Sequence, residues 1–419
     1  MLNPKTNERE LAYVAKVDQI RPIAGKDRVE CAVVGGWTCM VPKGAFQAGD
    51  LGIYFEIDSK VPTDKEPFAF CEKYHGNIKT QKFKTPDGQF WSQGLLMPAS
   101  DFGGTCYQDG DGTMYLHFGK ESFFQENKDY GEGEFLTAKL GITYAVAEDN
   151  KRKGSGPDKY KRMAARHAKL FQNPFIKWLY KKSWGKKVLF LFFGKKKDKR
   201  NWPAWVVKTD EERVQNMPWI LENKNPWFTT EKIDGTSTTF TMKGHGRKKE
   251  FYICSRNVCF DTPEKMEKGA FYDTNVYQEM AIKYDIEKVL EELLNNHVAL
   301  DFVTLQGETY GKSIQKREYG LKGHDFMAFN LIFGYPDGST RRCNPREMTD
   351  ILIAFGIPCV PIVDENFILP DTVEELLAIA TDKSAVDGGM REGLVFRSAD
   401  GAQSFKAVSN EFLLKYHNS

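Results

Sequence analysis

Thr229-Thr230-Glu231-Lys232-Ile233-Asp234-Gly235-Thr236-Ser237 reads as a β-strand running into a turn. Phe228, Thr229, Thr230 and Ile233 favour extended backbone, and Gly235 lets the chain bend where a side chain would clash. Residues two apart on a strand share a face, so Lys232 and Asp234 project together, an amine beside a carboxylate. A lysine in that setting is either a salt-bridge partner or a nucleophile. K-x-D-G by itself arises by chance in about one protein in ten of this length, so its meaning rests on what surrounds it.

At 419 residues the chain has room for two or three domains, and its 41% hydrophobic content can fill their cores. The eight cysteines are scattered, with no C-x-x-C pair, which argues against a structural zinc site or a disulfide framework and for buried free thiols. The N-terminus is polar, and the longest apolar run, Val188 to Phe193, is far too short to span a bilayer. A soluble, intracellular protein (cytoplasmic, with a nuclear address conceivable in Lys195-Lys196-Lys197) and no membrane partner are expected. The net charge of +2 hides an asymmetry: residues 151–200 hold 18 Lys+Arg against Asp158 and Asp198 alone. Such a basic bridge suits a polyanion.

Residues 1–145 are expected to form an all-β, OB-type barrel. Val29–Val34, Gly35-Gly36 and Trp37–Val41 have the pattern of a hairpin closed by a two-residue turn; Leu11–Val17, Asp50–Ile57 and Gly94–Met97 supply further strands. Lysines and aromatics between Lys79 and Trp91 fit backbone tracking with base stacking, or equally a solvated loop over a core aromatic. Residues 146–202 form a basic linker and helical bridge, flexible at Lys151–Pro157 and helical over Asp158–Tyr180 up to the interruption at Pro174. Trp178–Phe193 mixes Trp, Leu and Phe with lysine pairs, a composition compatible with a membrane-surface helix. Gly185 and Gly194 interrupt it, however, and polyanion binding accounts for the lysines more simply.

From 203 to 419 the pattern is mixed. Strands are expected at 227–241, 250–255, 302–309, 326–333, 392–397 and 403–408, and helices at 263–284, 286–296, 345–355 and 371–381. The last has Asp371 at the N-cap and Glu374 at capping-box spacing. Irregular interleaving predicts an α+β domain of antiparallel sheets, not a doubly wound fold, and neither G-x-G-x-x-G nor a Walker A sequence is present.

Downstream of Lys232 come Ser255-Arg256-Asn257, Leu305-Gln306-Gly307-Glu308-Thr309-Tyr310-Gly311, Phe326-Met327-Ala328-Phe329-Asn330, Arg391-Glu392-Gly393-Leu394-Val395-Phe396-Arg397 and Ser404-Phe405-Lys406-Ala407. Together they offer one lysine, three carboxylates (Asp234, Glu308, Glu392), two further cations (Arg256, Lys406) and an aromatic. Carboxylate oxygens suit Mg²⁺, which keeps waters and bridges to phosphates.

These segments resemble, in order, motifs I, Ia, III, IIIa, IV and V of the covalent nucleotidyltransferases, the superfamily of DNA ligases, RNA ligases and mRNA capping enzymes. Lys208–Asn216 is similar to the stretch that precedes the lysine motif in ATP-dependent RNA ligases. The resemblance covers about 203–416, and more loosely the OB module that precedes the catalytic domain in one class of RNA ligases. Thirteen residues follow Lys406, so no C-terminal OB domain of the DNA ligase or capping-enzyme kind is expected. The resemblance implies an RNA ligase that joins 3′-OH and 5′-phosphate ends of RNA through lysyl-AMP and RNA-adenylate, with ATP as substrate and Mg²⁺ or Mn²⁺ as metal. It implies Lys232 as nucleophile, Glu231 on the adenine amino group, Phe329 stacked on the base, and Arg256 and Glu308 on the ribose. Asp234, Glu308 and Glu392 would hold the metal, largely through its waters; Lys406 would meet the α-phosphate and Arg213 the β/γ phosphates. The partner is RNA, and no obligate protein partner is expected.

The same resemblance marks two departures. Motif V often reads K-x-K, and its first position here is Ser404; Ser237 stands where some relatives place an Asn. The rival readings are a DNA ligase, a GTP-using capping enzyme, and a non-catalytic RNA-binding protein in which K-x-D-G is incidental. The chemistry asks one hard thing of the lysine: with an ordinary pKa near 10.4, only about one copy in 2,500 is neutral at pH 7, a cost of about 4.6 kcal/mol. Nearby cations must depress that pKa against the pull of Asp234.

Overall fold

The computed structural model describes residues 1–6, 8–86, 88–145, 170, 173–193, 199–200, 202–260 and 275–416. The linker expected at Lys151–Pro157, residues 158–169 of the stretch expected to be helical to Tyr180, the Lys195–Lys197 run and the start of the helix expected at 263 lie outside them. The described chain divides into two compact units. One holds Met1–Lys151 with Glu212–Lys224 and Leu369–Ile379; the other holds Arg152–Glu211, Asn225–Ile368 and Ala380–Ser419. Against the expected bounds 1–145 and 203–419, two short pieces of the later range therefore fold with the first body.

The first unit is built from short antiparallel strands. Ala12–Lys16, Leu51–Phe55 and Leu95–Met97 pair in that order, Gln19–Pro22 joins Val29–Val34 and Trp37–Pro42, and Gly104–Gln108 joins Met114–Phe118 and Lys128–Tyr130. The Gly35-Gly36 turn has positive φ at both residues (52° and 80°), the requirement of a type I′ hairpin. Phe55, Phe68, Phe102, Phe118 and Tyr130 fill one core and Trp37, Tyr54 and Tyr13 another. The Lys79–Trp91 stretch is a hairpin rather than a loop, with Lys82 Nζ 4.5 Å from the centre of the Trp91 ring.

Two segments from the later range complete this unit. The Leu2 N–H donates to the Asn216 carbonyl at 2.5 Å, and a Cβ on Gly36 would stand 2.8 Å from Val373 Cγ1. Helix Val373–Ala380 does carry a capping box, one residue later than expected. Thr372 Oγ1 accepts from the Glu375 N–H at 3.2 Å while Glu375 accepts from the Thr372 N–H at 3.3 Å. Asp371 and Glu374 are drawn off by Lys224 (2.8 Å) and Arg21 (2.5 Å).

The second unit is α+β, as expected. A seven-stranded antiparallel sheet runs Lys199–Arg200, Cys259–Phe260, Glu250–Ser255, Thr236–Lys243, Phe302–Gly311, His324–Gly334 and Thr340–Arg342. Helices Val276–Lys283, Ile286–Asn296 and Pro345–Ile353 cover one face, burying Met280, Leu290, Leu294 and Leu352 against Phe240, Met242, Val303, Leu305 and Phe326. Each apolar strand residue is two from the next, the period that sends alternate side chains to one face. A four-stranded antiparallel sheet, Ile362–Phe367, Trp227–Lys232, Gly393–Ser398 and Ser404–Val408, forms the second layer. The strand expected over 227–241 is thus two strands, one per sheet, joined by Ile233-Asp234-Gly235.

Gly235 serves close approach, not a left-handed turn. A Cβ there would collide with the Thr309 carbonyl and lie 2.9 Å from Glu308 Cγ. All eight cysteines are free. No helix among the described residues is long and apolar enough to cross a membrane.

Candidate active site

Lys232 ends its strand opposite Gly393, and Glu231 sits opposite Leu394. The chain then crosses to the larger sheet, where Ser237 pairs with Glu308. This crossover opens a cavity of about 390 Å³ whose walls include Glu231, Lys232, Asp234, Arg256, Glu308, Phe329, Glu392 and Lys406. Eight of the nine residues singled out in the sequence therefore come together. Arg213 is not in these walls; it belongs to the first unit, with its guanidinium 5.7 Å from the centre of the Trp37 ring.

Lys232 Nζ donates to Glu392 at 2.8 Å. Burial pulls the lysine's pKa down, but the attraction of Glu392, Glu308 and Asp234 together outweighs it, and the net direction is up. Glu308 is pushed up to about 8, first by burial and further by Glu392 and Asp234, against the pull of Lys232 and Arg256. Protein groups alone thus leave more negative charge than one ammonium balances. Among the described residues, no group of three or more His, Cys, Asp or Glu side chains is clustered to hold a metal directly. Carboxylates that share a deficit of positive charge yet stand apart suit a hydrated divalent cation held through its waters, so the residues present fit the expected metal.

The loop that carries Asp234 is braced from a segment the sequence did not single out. The Asp234 N–H donates to Tyr319 Oη at 2.8 Å, and Gln315 Nε2 donates to the Gly235 carbonyl at 3.0 Å. Arg317 stands 4.1 Å from the centre of the Tyr319 ring and pairs with Asp387. Glu231 is buried, and its carboxylate accepts from the Ser384 hydroxyl and, at 2.8 Å, from the Ala385 N–H.

Phe329 reaches the cavity because of a bulge. Gln306 pairs with Asn330 but Gly307 pairs with Ala328, leaving Phe329 as the extra residue on its strand, the arrangement that re-aims a side chain. Its ring lines the cavity while packing beside Ile233, Tyr310, Tyr319 and Val360. The Phe329 carbonyl accepts from Arg397 Nη1 at 3.1 Å.

Asp210 and Glu211 supply acids that the motifs did not predict. Asp210 pairs with Arg256 at 2.6 Å and lies 3.5 Å from Lys406 Nζ, so one carboxylate bridges the two cations expected on the nucleotide. Glu211 accepts from the Ser404 hydroxyl and pairs with Arg397 at 3.4 Å. The hydroxyl at Ser404, the motif V departure, thus shares this acid with Arg397, which also lines the cavity. Ser237 Oγ and Thr209 Oγ1 are hydrogen-bonded at 3.1 Å.

A lysine where two antiparallel sheets meet, with carboxylates and cations lining the same cavity, is the arrangement expected of a covalent nucleotidyltransferase. In comparison with known proteins, residues 225–417 match the RNA ligase family model, and residues 11–99 match an OB-fold domain. An RNA ligase domain preceded by an OB-fold domain is the order expected from the sequence. Among solved structures it is similar to Naegleria gruberi RNA ligase with pyrophosphate: 28% identity, TM-score 0.59, covering 98% of this chain and 100% of that one. A mutant of that ligase with ATP and manganese gives 28% identity, TM-score 0.60 and the same coverage; one with AMP and manganese gives a TM-score of 0.59. No curated protein matches the chain.

Proposed function

We propose that the protein seals RNA 3′-OH and 5′-phosphate ends with ATP, and that Lys232 is the residue that carries the nucleotide. The observation that carries this reading is the placing of Lys232 Nζ, 2.8 Å from Glu392 in a cavity it shares with Asp234, Glu308, Arg256, Phe329 and Lys406. In the first step Nζ, having lost a proton, attacks the α-phosphorus; a P–N bond forms, the bond to the bridging oxygen breaks, and pyrophosphate leaves. The AMP then passes to an RNA 5′-phosphate, and the 3′-OH of the second end displaces it.

Each neighbour has a task set by its place. Phe329 offers its ring to the base from the bulge, and Arg397 fixes that bulge through the Phe329 carbonyl. The buried Glu231 accepts from the adenine amino group with the lone pairs that Ser384 and Ala385 leave open. Arg256 and Lys406 turn from Asp210 to the ribose and α-phosphate. Asp234, Glu308 and Glu392 would hold Mg²⁺ or Mn²⁺. When bound, the metal supplies the positive charge that favours the neutral amine at Lys232 and offsets phosphate charge.

The test is labelling with ATP carrying an α-phosphate label, followed by challenge with nicked RNA and nicked DNA. The expected result is a covalent adduct on Lys232, absent in Lys232→Ala and in excess EDTA, and sealing of RNA. Labelling by GTP alone, sealing of DNA alone, or full adduct formation in EDTA would each overturn it.

A further inference from the structure

We propose that the helical hairpin Pro174–Lys181 and Ser183–Phe193 is a docking surface for an anionic lipid bilayer. The sequence suggested that Gly185 would interrupt any such helix; instead Gly185 is where the two helices touch. It is buried inside the second helix, and a Cβ there would collide with the Leu179 carbonyl. The glycine therefore allows close packing, and with Ile176, Leu179, Tyr180 and Phe193 against Leu189 the hairpin has a small core of its own.

That core uses only part of the apolar surface. Trp184, Val188 and Phe192 lie at i, i+4 and i+8, a single stripe along the helix, and they are 57%, 39% and 73% exposed. On the other helix Phe175 and Trp178 are 65% and 51% exposed, with rings 5.8 Å apart and 24° from parallel. Polar residues around them have one sign: Lys177, Lys181, Lys182, Lys186 and Lys187, with no acid between 174 and 193. Tryptophan and phenylalanine on one face with lysine on the rest is the composition that lies in the lipid interface, rings among the acyl chains and ammonium groups at anionic headgroups.

RNA would account for the lysines but not for the stripe. Single-stranded nucleic acid uses open ring faces for stacking. Here Phe175 and Trp178 each give one ring face to the other, and Val188 presents no ring. Isolated exposed apolar residues are ordinary, whereas five on one twenty-residue hairpin mark a contact surface. This inference does not depend on the ligase chemistry.

The test uses the full-length protein with sedimented vesicles of phosphatidylcholine alone or with about one third phosphatidylserine. Expected is at least tenfold more binding to the anionic vesicles, weakening with salt. Trp184→Ser/Phe192→Ser should abolish this binding with adenylylation and affinity for a short RNA unchanged, and Lys186→Glu/Lys187→Glu should reduce it at least tenfold with adenylylation unchanged. Equal partition into both vesicle types, no vesicle binding by the active protein, or loss of RNA affinity in the Trp184→Ser/Phe192→Ser variant would each overturn the proposal; the last would make the hairpin a nucleic-acid surface.

Discussion

Replacing Asp210 with Asn should tighten ATP binding, because the carboxylate competes with the nucleotide for its cations. Asp210 lies 2.6 Å from Arg256, with both side chains 61% exposed, and 3.5 Å from Lys406. Ion pairs so open to water are each worth about 0.2–1 kcal/mol. The pair therefore totals about 1 kcal/mol, which a ligand must displace, or about fivefold in affinity. Asparagine keeps the shape and removes the charge. Turnover is avoided by measuring in a Lys232→Ala background, with ATP and Mg²⁺ titrated calorimetrically into protein with and without Asp210→Asn. The affinity ratio should shrink between about 0.05 and 0.5 M salt, since exposed pairs are screened. Equal or weaker binding by the Asn variant, or a ratio indifferent to salt, would refute the idea that Arg256 and Lys406 are shared between Asp210 and the nucleotide.

Glu392→Gln removes the carboxylate nearest Lys232, so burial is opposed by less charge and the lysine should lose its proton at lower pH; mass spectrometry of Lys232 acylation against pH, without metal, checks this, and superimposable profiles would count against it. Glu308 has a folded pKa of about 8 against an ordinary 4.5. The folded state therefore keeps a proton the unfolded chain gives up, and stability should fall as pH rises across that window. Glu308→Gln should flatten this fall in EDTA, read as unfolding temperature at pH 5 and 8.5, and parallel curves would contradict it. Gly235→Ala drives a methyl into Glu308 and the Thr309 carbonyl, so it should lower the unfolding temperature by about 5 °C and cut adenylylation; a variant as stable and active as the parent would show that the two strands can part.

The residues that meet in the cavity were legible because each sits on a short local signal: a strand, a glycine and a charged residue within four or five positions. Register then did the assembly, placing Lys232 across from Gly393 and Ser237 across from Glu308. The weak points of the sequence were long-range. Nothing near Asp210 or Glu211 announces that they will meet Arg256, Lys406, Arg397 and Ser404, which lie 46 to 196 positions along the chain. The Phe329 bulge is a mismatch between two strands and exists in neither alone. The capping box slipped by one residue because Lys224 and Arg21, distant in sequence, compete for Asp371 and Glu374. Gly185 looked like a break because its partner, the Leu179 carbonyl, comes from the adjoining helix.

The interleaving of the first unit matters to anyone who would cut the chain into pieces. Residues 212–224 and 369–379 belong to it, with Val214, Ile220, Leu221, Leu369 and Leu376 buried. A fragment beginning at 203 would bring both segments along without the strands they cover, and would expose that apolar surface to other molecules. Cleavage near 145–203 should leave two halves that co-purify, each sticky by itself. The protein is two bodies threaded on one string, and scissors applied once cannot separate them cleanly.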